Sequence, residues 1–159
     1  IDLSTSYKIS NELSKDYTGD PVILRNDFVN VVEFCTKEKE LALDKKTCTE
    51  LALTLTKYSQ LFPHGAYADF YSTVKYVQKN KLLGLSIRET LKLSIRLISK
   101  GPKASTNFKK MISYTLEENS LKLSELQAFQ LALIVSDLSF DPSKGEQTSE
   151  QNVTETTKK

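Results

Sequence analysis

The chain has 159 residues, a net charge of +2 and 39% hydrophobic residues, which indicates one globular domain with its own core. It contains only five Gly and four Pro, a composition that favours helices over a β-sandwich or β-barrel. No apolar run reaches the roughly 18 residues that would span a bilayer, so we expect no transmembrane segment. We predict an all-α fold, a compact single-domain bundle of about five to seven helices with a disordered C-terminal tail.

The predicted organisation has three parts: a polar N-terminal segment (1–20), a helical domain (21–140) and a disordered tail (141–159). The N-terminal segment shows only a weak helical pattern around Tyr7, Ile9 and Leu13. The tail has no large apolar residue except Val153, too few to form a core. The chain begins with Ile1 rather than Met, which fits either a removed signal peptide or a trimmed chain.

The first long helix has two candidate start signals. Asp20-Pro21 is a typical start, and Asn26-Asp27 offers a second one. The apolar residues that follow have helical spacing, although their β-branched content leaves a short strand as the minority alternative. These residues are Phe28, Val31, Val32 and Cys35.

The only two cysteines, Cys35 and Cys48, flank a charged segment whose pattern indicates a helix end, a loop and a helix start. In an antiparallel helix pair these positions face each other, so we predict a disulfide, with two unconnected thiols as the alternative. The bond would stabilise the fold by roughly 3 kcal/mol. It would also indicate an oxidising compartment, so the predicted location is periplasmic or secreted.

Capping signals divide the middle of the chain. Thr47 and Glu50 have the spacing of a capping box, which predicts a helix through Phe62 that ends at residues 63–65. A second helix follows and breaks at Gly84. Ser86 with Glu89 is another capping box, and its helix ends at the Gly-Pro pair at 101–102.

Two more helices complete the predicted bundle. One begins at about Thr106, with Phe108, Met111, Ile112 and Leu116 pointing inward. The other begins at Ser124, where "SELQ" is a further capping box. This last helix is apolar around most of its circumference, so we expect it at the centre of the bundle.

No residue set predicts catalysis, a metal site or a cofactor. His64 is the only histidine, and a single His without further ligands is a weak metal signal. We interpret it as a turn residue between two helices, which makes an enzyme centred on His64 the least supported reading. The aromatic residues around it have helical spacing, and we expect them in the core. They are Tyr58, Phe62, Tyr67, Phe70 and Tyr71.

Charge is strongly segregated along the chain. Residues 75–110 contain ten basic residues and one acid, Glu89, a net charge of +9, so the remainder carries −7 of the total +2. On the helix at 87–100, four cations fall within an arc of about 120°, and apolar residues fill the rest. This basic strip consists of Arg88, Lys92, Arg96 and Lys100, and Lys103 follows it.

Two interpretations of the basic strip remain open. Acids elsewhere in the fold, in "LEENS" (116–120) or near the N-terminus, would neutralise it, or the strip binds an acidic partner. Like charges four residues apart cost an isolated helix roughly 0.2–0.5 kcal/mol per pair, and the sequence accepts three such pairs.

One local stretch, "VKYVQKNKLLGLSIRETLKL" (74–93), resembles the helix-Leu-Gly-Leu-Ser-helix hairpin of regulators of the mercury-resistance type, which bind DNA. The resemblance covers about twenty residues. The helix-turn-helix that precedes this hairpin in the family, with its Arg-Tyr-Tyr signature, is absent here. No residue role is therefore carried over.

The leading hypothesis is a non-enzymatic, extracytoplasmic helical domain that binds another macromolecule through its basic surface. The expected partner is an acidic protein surface, an anionic envelope polymer or an anionic lipid surface. The alternative is an intracellular nucleic-acid-binding protein that uses the same strip, with a steep salt dependence.

Overall fold

The computed structural model describes residues 3–39, 41–117 and 122–138. Within these ranges the chain forms seven α-helices, two short 3₁₀ turns (Ser59–Leu61 and Leu82–Gly84) and no β-strand, which confirms the predicted all-α bundle. None of these helices is long and apolar enough to cross a membrane. The predicted tail at 141–159 lies outside the described residues. The helices are α1 (Leu3–Ser14), α2 (Pro21–Lys37), α3 (Lys45–Thr56), α4 (Tyr67–Asn80), α5 (Ile87–Ser99), α6 (Pro102–Glu117) and α7 (Glu125–Leu138).

Side-chain caps begin most of these helices. Asp20 caps α2 by accepting a hydrogen bond from the backbone N–H of Val22 (2.8 Å). The predicted capping box at Thr47 and Glu50 is wrong, because Asp44 caps α3 instead and accepts bonds from both the N–H and the hydroxyl of Thr47. An ionised Asp accepts both bonds at once, so the helix begins one turn earlier.

The other two predicted capping boxes are confirmed. In α5, Ser86 and Glu89 each accept a hydrogen bond from the other's backbone N–H. In α7, Ser124 and Gln127 make the same pair of bonds. Between α5 and α6, Gly101 adopts a positive φ of 94°, and α6 begins directly at Pro102 rather than at Thr106.

The core has two parts, and α5 contributes to both. Leu91 and Ile98 join the first cluster, which fills the space between α2, α3, α4 and α5. Leu93 and Leu97 join the second cluster, between α4, α5, α6 and α7. The expectation that this helix is mostly buried is therefore confirmed, and α5 holds the central position that we expected for the last helix.

Helix α7 lies at the edge of the bundle, contrary to the prediction. Its buried face is a stripe of small residues, Ala128, Ala132 and Ser136, all of which are fully buried. Small side chains allow close approach to α6, its main packing partner, while Leu126 and Ile134 remain more than half exposed. Apolar content around the whole circumference therefore did not indicate which face is buried.

The predicted disulfide is present. Cys35 in the last turn of α2 bonds to Cys48 in the first turn of α3, with 5.6 Å between the Cα atoms. Both cysteines are fully buried. The bond therefore fixes α2 and α3 as an antiparallel pair at the end where the connection joins them.

Asp27 is a buried carboxylate that connects three elements. It lies in the second turn of α2, so the predicted second helix start is wrong. It accepts hydrogen bonds from the Ser59 hydroxyl (2.7 Å) and from the backbone N–H groups of Ala66 (2.8 Å) and Tyr67 (3.1 Å). These N–H groups open α4, so Asp27 caps that helix from a distance in sequence.

Gly65 makes this arrangement possible. Its φ is +95°, and a Cβ there would lie 2.6 Å from Oδ1 of Asp27. Ser59, in the turn that follows α3, is also fully buried. The predicted helix through Phe62 therefore ends at Thr56, and a 3₁₀ turn brings Ser59 to the carboxylate.

Replacing Asp27 should destabilise the protein strongly. Asp27→Ala leaves a buried hydroxyl, a buried N–H and a partly buried N–H without an acceptor, and each unsatisfied buried donor costs about 1–3 kcal/mol. We expect a loss of about 3 kcal/mol or more in the free energy of unfolding, measured by urea denaturation. The neighbouring exposed Asn26→Ala is the matched control, within about 0.5 kcal/mol of the parent. A loss below about 1 kcal/mol for Asp27→Ala would contradict this role.

The disulfide predicts a redox-dependent stability. Thiol titration of the unfolded, unreduced protein should detect no free thiol. The Cys35→Ala/Cys48→Ala variant should lose about 3 kcal/mol, the value expected for closing a loop of this length. Two titratable thiols before reduction, or an unchanged unfolding midpoint in the variant, would show that the bond is absent or unimportant.

Candidate binding groove

The predicted site residues extend along the exposed edge of α5 and into α6. Arg88, Lys92 and Arg96 are exposed and Lys100 is half-buried. Lys103 is exposed in the first turn of α6. The structure divides the four cations of the basic strip, without Lys103, into two sets with different surroundings.

The C-terminal half of the strip is neutralised inside the fold. Arg96 donates to Oδ2 of Asp137 on α7 at 3.1 Å, and Nζ of Lys100 lies 4.0 Å from Oδ1 of the same carboxylate. The second distance is too long for a hydrogen bond, and Oδ1 has no hydrogen-bond donor in the described structure. Lys100 therefore contributes charge to the cluster without a direct bond.

This pairing answers half of the question that the sequence left open. The neutralising acid is Asp137, not one of the acids expected in "LEENS" or near the N-terminus. Of the former set, the side chains of Glu117 and Glu118 lie outside the described part of the chain. All three paired groups are about two-fifths to one-half exposed, so solvent screens the attraction and the pair contributes little to stability.

The N-terminal half of the strip borders a groove between α3 and α5, with a volume of about 380 Å³. Its floor is apolar and includes Leu51, Leu91 and Ile95, and its α3 side carries Thr54 and Glu50. Arg88 and Lys92 form its α5 edge. Within the described residues, no carboxylate lies within 4.0 Å of either cation.

Two further cations of residues 75–110 are held by contacts within the fold. Lys75 forms an ion pair with Glu38 (3.0 Å) and lies 5.8 Å from the ring centroids of Phe34 and Tyr71. Its charge therefore fixes α4 against the end of α2.

Lys109 on α6 contacts α4. Its Nζ donates to the hydroxyl of Ser72 at 2.7 Å. Burial lowers the pKa of Lys109, and burial likewise raises the pKa of the neighbouring Asp69, although the lysine partly opposes that rise. Lys109 and Asp69 attract each other, although both are partly removed from water. Their attraction therefore supports the packing of α6 against α4.

His64 and its neighbours do not form part of the groove. His64 is exposed in the connection between the 3₁₀ turn and α4, as expected for a turn residue. Among the aromatic residues, Phe62 and Phe70 are buried in the first core cluster and Tyr58 and Tyr67 pack against it. Tyr71 is 40% exposed and packs edge-on against Phe34, so the core prediction is wrong for this residue. In the described part of the chain, no three His, Cys, Asp or Glu side chains are grouped as a metal site would need.

Comparison with known proteins identifies no relative: no family model, no curated protein and no solved structure matches this chain.

Sequence reasoning found the cations of the groove but missed its other wall. No binding role was predicted from the sequence for Glu50, Leu51 or Thr54, which line the α3 side. The groove could not be predicted because the sequence does not show that α3 and α5 are neighbours in the fold.

The capping box at the start of α5 places a titratable acid beside the groove cations. Hydrogen bonds from the backbone and side chain of Ser86 lower the pKa of Glu89, and Lys92 lowers it further. A lowered folded-state pKa contributes stability that is present above the unfolded pKa of 4.5 and is lost as pH falls through the folded value.

Glu89→Gln can keep the hydrogen bonds of the capping box, as Gln127 does in the box of α7. Its side chain cannot titrate. We expect the parent to unfold at higher urea concentration than the variant above pH 4.5. The difference should shrink as the pH falls below 4.5. Urea titrations at several pH values test this. A difference in unfolding midpoint between the two proteins that stays constant as the pH falls below 4.5 would contradict it.

Proposed function

We propose that this chain is a non-enzymatic, extracytoplasmic helical domain that binds an acidic protein surface through the groove between α3 and α5. The observation that carries the proposal is the pair Arg88 and Lys92, two cations at the edge of an apolar floor that have no carboxylate within 4.0 Å in the described structure. Such a border selects a ligand that presents acidic groups beside apolar ones.

Charge segregation supports the same reading. Residues 75–110 carry +9 in a chain whose net charge is +2. Contacts within the fold hold Lys75, Arg96, Lys100 and Lys109, whereas the groove cations are not used in this way. A positive edge of this kind steers an acidic partner toward the groove and orients it.

The apolar floor favours a protein partner over nucleic acid. Phosphate backbones are bound through rows of cations with little apolar burial, whereas Leu51, Leu91 and Ile95 offer a surface for aliphatic or aromatic side chains. The extracytoplasmic location rests on the buried disulfide, because such bonds persist in oxidising compartments.

Photo-crosslinking from the groove wall tests the proposal. A benzophenone residue in place of Thr54 should form an adduct with an acidic protein from the extracytoplasmic fraction of the source cells. Adding Arg88→Glu and Lys92→Glu should reduce the adduct about tenfold or more, since reversing charges at a partly desolvated edge introduces repulsion. Both residues are exposed, so the fold should be retained, as circular dichroism can verify.

The matched control reverses two exposed cations outside the groove. Lys79→Glu with Lys110→Glu removes the same charge from residues 75–110 and should leave at least half of the adduct. His64→Ala should leave it unchanged, whereas its loss would favour a site at His64. An adduct insensitive to Arg88→Glu/Lys92→Glu, or one that contains nucleic acid, would contradict the proposal.

A further inference from the structure

A second cleft lies on a different face of the molecule, between α1 and α2. Its volume is about 500 Å³, and its lining is predominantly apolar. Helix α1 forms one wall although none of its residues is buried, and Leu3 and Tyr7 are 88% and 74% exposed. The first helix therefore covers a space that it does not fill.

Three of the five α1 residues that line the cleft are small, which leaves space toward α2. Ser6, Ser10 and Ser14 recur at four-residue intervals and all line the cleft. Small side chains would allow two helices to close together, as they do between α6 and α7. Here α1 packs mainly against α3 instead, so the serines leave a gap toward α2.

The connection from α1 to α2 holds this geometry in place. Asp16 reverses the chain with a left-handed φ of 60°, and the hydroxyl of Tyr17 donates to the carbonyl of Asp20 at 3.0 Å. A Cβ on Gly19 would lie 2.5 Å from that hydroxyl, so glycine lets the Tyr17 ring close the end of the cleft. The loop is also joined to the 3₁₀ turn, because Gln60 accepts bonds from Thr18.

The α2 wall supplies apolar surface and one charge. Leu24 and Phe28 face the cleft together with Ile9 and Leu13 of α1, and Arg25 is the only Asp, Glu, Lys or Arg among the lining residues. No carboxylate lies within 4.0 Å of Arg25 in the described part of the chain. An apolar slot with one unpaired cation is complementary to an aliphatic chain that ends in an anion.

We propose that the cleft between α1 and α2 binds one free fatty acid, with its acyl chain between Ile9, Leu13, Leu24 and Phe28 and its carboxylate at Arg25. The volume suits one acyl chain rather than the two chains of a phospholipid. Transfer of the chain from water to this lining drives binding, and the guanidinium selects the ionised end. This site is independent of the groove between α3 and α5.

Calorimetry with laurate below its micellar concentration tests the site, with dodecanol as the uncharged ligand of equal chain length. We expect one laurate per chain. Arg25→Gln should weaken laurate about tenfold, the effect of one charge-assisted contact, and leave dodecanol within about twofold. Lys8→Gln, an exposed cation on α1 that does not line the cleft, should change neither ligand.

Filling the cleft tests its location. Ser10→Phe should abolish binding of both ligands, and Ser10→Leu serves the same purpose if circular dichroism shows that the larger residue prevents folding. Several laurates per chain, laurate affinity unchanged in the filled variant, or binding to phosphatidylglycerol vesicles without binding of laurate would each overturn the proposal.

Discussion

The buried carboxylate of Asp27 is the contact on which the rest of the bundle depends. It supplies acceptors for the start of α4 and for Ser59, so it fixes the turn after α3 and the direction of α4 relative to α2. The disulfide fixes α2 to α3 near the other end of α2. With both ends of α2 constrained, α4 is presented to α5, and α5 can occupy the centre between the two core clusters.

The central position of α5 explains the arrangement of charge. A helix with apolar contacts on two sides has only one narrow edge in solvent, and the sequence places all its cations there. Asp137 on α7 meets the C-terminal half of that edge. The N-terminal half faces α3, whose side of the groove carries Glu50 but no carboxylate close enough to pair. The groove thus follows from the offset between α3 and α7 along α5.

Local signals in the sequence were sufficient for much of this fold. Capping boxes at Ser86 and Ser124 and the Asp20-Pro21 pair mark helix starts because each uses bonds within one turn. Asp27 shows the limit: it was recognised as a capping residue, but the helix that it caps begins some forty residues later. Helix α7 shows a second limit. Hydrophobic periodicity cannot indicate the buried face of a helix that is apolar on all sides, whereas the small residues Ala128 and Ala132 lie on the buried face. The pairing of Arg96 with Asp137 was equally beyond sequence reasoning, because charge alone does not reveal which elements meet.

Side-chain size at each helix contact, together with the constraints on the helices, determines where this bundle is closed and where it is open. Ala128, Ala132 and Ser136 let α7 approach α6 closely. Ser6, Ser10 and Ser14 are equally small, yet the loop joined to Gln60 keeps α1 over α3, and a cleft remains beside α2. A bundle with uniformly large contact residues would fill such a space, at the cost of any ligand site there. Small residues therefore produce packing in one place and a cavity in another, and the difference lies in what anchors each helix.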